Sequence, residues 1–172
     1  MKLDLLYEVD APQPWDDGPH PYGQRKREQR AYAEAMEQIK LADKLGFNTI
    51  WAVEHHFRAG RSHCPAPEVL LGALSQCTEQ IRLGFGVTLT PFGFTHPARV
   101  AEKVATADIL SGGRVEWGTG RSTPMEQTAF HVDREASRDQ WREAIEIICA
   151  MWREERFSWD SPTFQFPERI VT

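Results

Sequence analysis

The chain has 172 residues, 41% hydrophobic and 26% charged, with a formal net charge of -5. That length suits one ordinary domain with a substantial core, and an acidic balance without a basic stripe excludes general nucleic-acid affinity. No apolar stretch approaches membrane-spanning length and Met1-Lys2-Leu3-Asp4 lacks a signal-peptide core, while the odd, widely spaced Cys64, Cys77 and Cys149 fit a reducing cytoplasm better than a disulfide framework.

In chain order, Leu3 to Val9 reads as a first strand, followed from Asp10 to Gly23 by a loop rich in Pro, Gly and Asp. So long a connection suggests a substrate lid. The basic cluster Arg25 to Arg30 is expected in a solvated loop, and Tyr32, Met36, Ile39 and Leu45 recur near helical spacing up to a stop at Gly46. Asn48 to Val53 is an apolar strand that surfaces at Glu54-His55-His56, and a second long loop runs from Phe57 to Ala66. Pro67 opens a helix with Val69, Leu70, Ala73 and Leu74 inward. Ile81 to Leu89 is the third strand, with Gly84 and Gly86 inside it. Val100, Val104, Ala107 and Leu110 mark a helix stopped by Gly112-Gly113, Val115 to Thr119 is the fourth strand, and Trp141, Ile145, Ile148 and Trp152 give a further helix. Phe157 to the C-terminus carries aromatic alternation at Phe164 and Phe166 without helix or cap. Strands alternating with helices imply right-handed crossovers and a parallel sheet.

Three constellations could carry chemistry. Two imidazoles and a carboxylate where a buried strand surfaces need partners or a ligand. If the strand alternation continues, His55 and His56 point to opposite sides, so one alone faces any given cavity. That divergence, and the lack of a Cys-x-x-Cys spacing, argue against a metal held by His55, His56, His63 and Cys64. In Gly118-Thr119-Gly120-Arg121-Ser122-Thr123-Pro124-Met125-Glu126, glycines at a strand end permit close backbone approach, and Thr123 with Glu126 has capping-box spacing. A helix start beside Arg121 is then a candidate anion site, the alternative being a glycine turn with a surface arginine. The glycines of Leu83-Gly84-Phe85-Gly86-Val87 mark either a bulge, the approach of something flat, or packing against Trp51 or Trp117. His96 sits in a cap region.

Taken in order, Gly46 to Trp51 running into Glu54-His55-His56-Phe57, then Leu83 to Val87 leading to Thr95-His96-Pro97-Ala98-Arg99, then Ser111 to Gly118, resemble the luciferase-like flavin monooxygenase family, which includes the bacterial luciferase subunits. The resemblance implies an α/β fold of the (β/α)8 TIM-barrel type and reduced flavin mononucleotide (FMN), or a deazaflavin, as cofactor. It implies His55 as the catalytic proton donor or acceptor, and Gly86 and Val87 behind the flavin ring at a strand bulge where the family often has a non-proline cis peptide. Arg121, with Thr119 and Gly120, falls beside the flavin phosphate; Gly120 stands where some luciferases have a cysteine, so thiol chemistry is not expected there. Family chains are about twice as long, and a closed barrel needs eight strands. Residues 1–172 are therefore expected to be a single incomplete domain, an N-terminal half-barrel of about four parallel βα units, either a fragment or a truncated gene product.

The function implied is oxygenation of an aldehyde, ketone or hydrocarbon by reduced FMN, a diffusing cosubstrate from a separate flavin reductase, and dioxygen. No metal, nucleic acid or membrane is expected, and the unpaired edges suggest a homodimer. The alternatives are a deazaflavin-dependent oxidoreductase of the same fold and a non-catalytic flavin-binding or interaction module.

Overall fold

The computed structural model describes residues 1–11, 23–58 and 60–171. Their elements are β1 (Asp4–Tyr7), α1 (Gly23–Lys44), β2 (Thr49–Ala52), α2 (Pro67–Ser75), β3 (Arg82–Leu89), α3 (Pro97–Ser111) and β4 (Val115–Gly120). After these come α4 (Pro124–Ala129), α5 (Ser137–Met151), β5 (Arg156–Asp160) and β6 (Gln165–Ile170). Strands β1 to β4 form one parallel sheet in chain order, with Leu5 opposite Ile50 and Ile50 opposite Leu83. Parallel neighbours cannot be joined by a tight turn, so a helix follows each strand. Most of the proposed lid loop, residues 12–22, lies outside the described residues.

Local chemistry sets the helix ends. Gly46 (φ 79°) closes α1: its N–H donates to Asp43 O (3.2 Å) and the Phe47 N–H to Ala42 O (3.1 Å). Gly112 (φ 69°) and Gly113 close α3 in the same way, through Ile109 O (3.1 Å) and Asp108 O (2.9 Å). Both are the paired-bond cap that a left-handed residue permits. His96 caps α3 at its start, its Nδ1 accepting the Ala98 N–H at 3.2 Å.

One expectation is corrected. Arg25 to Arg30 are not in a loop but in the first turns of α1, because Arg, Lys, Gln and Glu are good helix formers and pair along it, as Arg30 Nε does with Glu34 at 2.6 Å. In the C-terminal stretch, read as aromatic alternation without helix or cap, β5 and β6 form an antiparallel hairpin with an irregularity between Phe157 and Trp159.

The chain divides into two compact units, Met1–Val87 with Ala107–Gly118, and Thr88–Thr106 with Thr119–Thr172. In the first, Ile50, Ala52, Leu83 and Phe85 are fully buried on one face of the sheet, together with Ile39 of α1 and Leu71 and Leu74 of α2. The opposite face carries Leu6 and Trp51, with Gly84 in register. A Cβ on Gly84 would lie 2.5 Å from the Trp51 ring, and one on Gly118 would lie 2.7 Å from Phe85 O. The strand glycines therefore make room for Trp51 and for neighbouring backbone, which decides for packing at Gly84. Trp51 Nε1 donates to Asp4 (3.1 Å), as does Asn48 Nδ2 (2.9 Å), and these bonds hold the Asp4 carboxyl below its ordinary pKa.

The turn into β3 is clasped by Asp43, whose buried carboxylate accepts the N–H groups of Glu79 (2.9 Å), Gln80 (2.8 Å) and Ile81 (2.7 Å). Burial alone would raise its pKa; the three backbone bonds and nearby Arg114 outweigh that and lower it. A lowered folded pKa contributes stability that is complete above the unfolded value, about 3.9, and is lost as pH falls through the folded value. Asp43→Asn is expected to cost about 1.5–3 kcal/mol at pH 7. The gap from the parent chain should narrow as pH falls below the unfolded value of about 3.9, and urea unfolding at neutral pH and in that acidic range measures both.

In the second unit Ala144, Ile147 and Ile148 of α5 are buried, as is Phe157 of β5. Glu143 ties the hairpin to α5, accepting Trp159 Nε1 (3.0 Å) and the hydroxyls of Ser161 and Thr163. Phe164 packs on Phe92 and His96 with ring centres 4.9 and 5.2 Å apart.

Candidate functional site

Strand β2 ends at Ala52, so Glu54, His55 and His56 lie just past its C-terminal end rather than on it. Strand alternation therefore does not orient the histidines; their partners do. His56 Nε2 lies 3.3 Å from Glu54 Oε1. His55 lines a cleft of about 330 Å³ with Phe57, Arg58, Gly60, Ser62, His63 and Pro65, and His56 does not.

The cleft is formed by the loop after β2, which the end of β1 and helix α1 hold in place. Arg61 Nε donates to Glu8 (3.1 Å), Ser62 N–H to Asp10 Oδ1 (3.0 Å) and His63 N–H to Val9 O (3.0 Å). Tyr32 Oη donates to His63 O at 2.5 Å. Phe57 (φ 56°) and Ser62 (φ 52°) take the left-handed conformation, which non-glycine residues hold only under such constraint. Burial pushes the Tyr32 phenol up to about 12 and the Cys64 thiol up to about 11, so both stay protonated at neutral pH and Cys64 serves as packing beneath the loop.

Gly86 and Val87 also belong to the first unit, and the peptide bond between them is cis. Thr119, Gly120 and Arg121 belong to the second. There α4 carries the capping box that the sequence spelled: Thr123 Oγ1 accepts the Glu126 N–H, and the fully buried Glu126 carboxylate accepts the Thr123 N–H (3.2 Å) and the Ser122 hydroxyl (2.5 Å). Those two N–H groups are satisfied from within, so at this short helix an anion would depend chiefly on Arg121. The Arg121 Nη1 donates to Ser137 Oγ (3.2 Å), and Arg121 O accepts Gln127 Nε2 (2.8 Å). Thr119 Oγ1 accepts the Trp141 indole N–H (3.1 Å).

In the second unit two polar side-chain atoms are buried without a hydrogen-bond partner among the described residues, Thr90 Oγ1 and Gln140 Oε1. Thr90 N–H donates to Gly120 O (3.2 Å), and Gln140 lies in the same first turn of α5 as Ser137. A guanidinium directly after a strand-end glycine fits a phosphate-bearing cofactor. Ser62, Thr90 and Gln140 were missed in the sequence, because a missing partner leaves no trace in residue order. Among the described residues no three His, Cys, Asp or Glu side chains gather to hold a metal, and no helix is long and apolar enough to cross a membrane.

Parallel strands alternating with helices, with a polar cluster just past the C-terminal end of β2, define the βα scaffold on which (β/α)8 enzymes carry their sites. The chain belongs to the luciferase-like monooxygenase family, whose sequence profile it matches over residues 14–172. It is 38% identical over 138 residues to the uncharacterized protein y4wF of Sinorhizobium fredii, covering 79% of this chain and 39% of that protein. It is 33% identical to limonene 1,2-monooxygenase of Rhodococcus erythropolis, over 69% of this chain and 30% of the relative. Among solved structures, monooxygenase RslO1 from Streptomyces bottropensis superposes with a TM-score of 0.82 at 30% identity, covering 99% of this chain and 48% of the other. The chain thus spans less than half the length of these relatives, which are built on the same barrel type.

Proposed function

We propose that the chain is the flavin-handling half of the oxygenase component of a flavin-dependent monooxygenase. The observation that carries this is His55 in the wall of a ligand-sized cleft at the end of β2, in a chain of this family. Reduced FMN, when bound, supplies the electrons that activate dioxygen. In the second unit Arg121, with Thr119 and Gly120, would hold a phosphate; in the first, Gly86 and Val87 would offer backbone to a flavin ring and His55 would move a proton at the substrate. The anchored loop keeps that imidazole fixed in a partly apolar cleft and limits water. Support for a two-component system comes from a 29% identical relative, the oxygenase component of flavin-dependent trigonelline monooxygenase from Acinetobacter baylyi, matched over 84% of this chain and 40% of that protein. The substrate is a small aldehyde, ketone or hydrocarbon, and the protein works in the cytoplasm as a homodimer beside a flavin reductase.

A deazaflavin reading has its own support, a 34% identical F420-dependent glucose-6-phosphate dehydrogenase from Beutenbergia cavernae, matched over 84% of this chain and 44% of that protein. Anaerobic titration with each reduced cofactor, followed by admission of oxygen with a reductase and a substrate panel, separates the readings. The expected result is FMN binding and oxygen uptake coupled to product. Turnover with reduced deazaflavin and no oxygen uptake would replace the first reading by the second, and binding of neither would leave an interaction module.

A further inference from the structure

The cleft beside His55 contains a polar group that the reading above leaves unused. Ser62 is 3% exposed, lines the cleft, and its hydroxyl has no hydrogen-bond partner among the described residues. Its backbone is pinned by Asp10, which accepts its N–H, so the hydroxyl has little freedom to find a partner elsewhere. Buried hydroxyls without partners are rare in folded chains unless a ligand or water completes them.

The other polar side chains on the wall are of one kind. Arg58 is exposed, lines the same cleft and has no ion pair among the described residues. His55 and His63 complete the set, and no carboxylate is among the described residues that line the cleft; Glu28, 3.7 Å from His63 Nε2, is not part of that wall. The remaining surface is Phe57, Gly60 and Pro65. A guanidinium and a hydroxyl donor beside apolar side chains match a compact organic anion, since a carboxylate is acceptor-only and takes both together.

We propose that this cleft binds the carboxylate of a small organic acid, with the Ser62 hydroxyl and the Arg58 guanidinium donating to it and Phe57 and Pro65 flanking the hydrocarbon part. The inference rests on the His55 cleft being the substrate site and narrows the substrate class to molecules bearing a carboxylate away from the carbon that reacts.

Sodium benzoate, with benzyl alcohol as its neutral match, is titrated into the 172-residue chain without flavin and followed by the ring resonances of His55 and His63. Saturable shifts are expected, with benzoate bound about tenfold more tightly than the alcohol. Ser62→Ala and Arg58→Gln should each weaken benzoate about tenfold and leave the alcohol unchanged. Arg58 is exposed, so its variant tests the idea even if the serine variant does not fold. Equal affinities for acid and alcohol, or benzoate binding unaltered by Arg58→Gln, would overturn the proposal. With no flavin present, a failure here is distinct from a failure of flavin binding or turnover.

Discussion

His55→Ala is expected to retain flavin binding while lowering turnover by about 10²- to 10⁴-fold, the range lost with a positioned acid–base group. The imidazole lines the cleft, whereas its neighbour His56 is engaged with Glu54, so the adjacent histidine cannot take over. Glu8, Asp10, Val9 and Tyr32 all hold the loop, so truncation at His55 should leave the cleft in shape. Flavin affinity by fluorescence, and product formation with and without added imidazole, are the measurements. Partial rescue by imidazole is expected, and turnover at the parent rate would remove His55 from the chemistry. His56→Ala is the internal control and should cost far less.

The second large effect concerns stability. Arg114 spends every N–H of its guanidinium inside the first unit: Nε on Ser111 O (2.8 Å), Nη1 on Thr78 Oγ1 (2.8 Å) and Ile81 O (2.9 Å), and Nη2 on Ser75 O and Thr78 O (both 3.0 Å). These acceptors gather the end of α2, the entry to β3 and the end of α3 around one side chain. Arg114→Met keeps the stem and orphans four backbone carbonyls, so a loss of about 3–5 kcal/mol is expected in urea unfolding. Arg114→Lys should recover only part, because an ammonium offers three donors from one point where the site is built for a planar fork. Asp43 acts on the same turn from the other sign of charge, so Asp43→Asn and Arg114→Met should prove non-additive in a double-mutant cycle. Strict additivity would mean the two clasps work independently.

The features legible from residue order are those made by neighbours in the chain. Gly46 and Gly112 ended their helices through bonds spanning a few residues, Pro67 opened α2, and Thr123 to Glu126 formed the capping box of α4. Where a local pattern was read with the wrong context, it failed: the basic run at Arg25 proved helical. The aromatic alternation after Phe157 belongs to a hairpin whose pairing the alternation alone did not give. The site was legible in part. The cluster of two imidazoles and a carboxylate could be singled out at a strand end, and the resemblance pointed to His55 within it, but that His55 and not His56 lines the cleft could not be read from spacing.

By itself, then, the sequence determined the order of strands and helices, where the helices stop, and the family, since these rest on periodicity, on conformations only glycine or proline favours, and on ordered motifs. Tertiary structure alone decided that the strand glycines yield to Trp51, that Arg114 and Asp43 clasp the turn into β3, and that Ser62 is left with an unanswered hydroxyl in the cleft. The physical reason is range. Caps and turns are settled by atoms a few residues apart, whereas burial, clash and an absent hydrogen-bond partner depend on which distant residues the folded chain brings within a few ångströms.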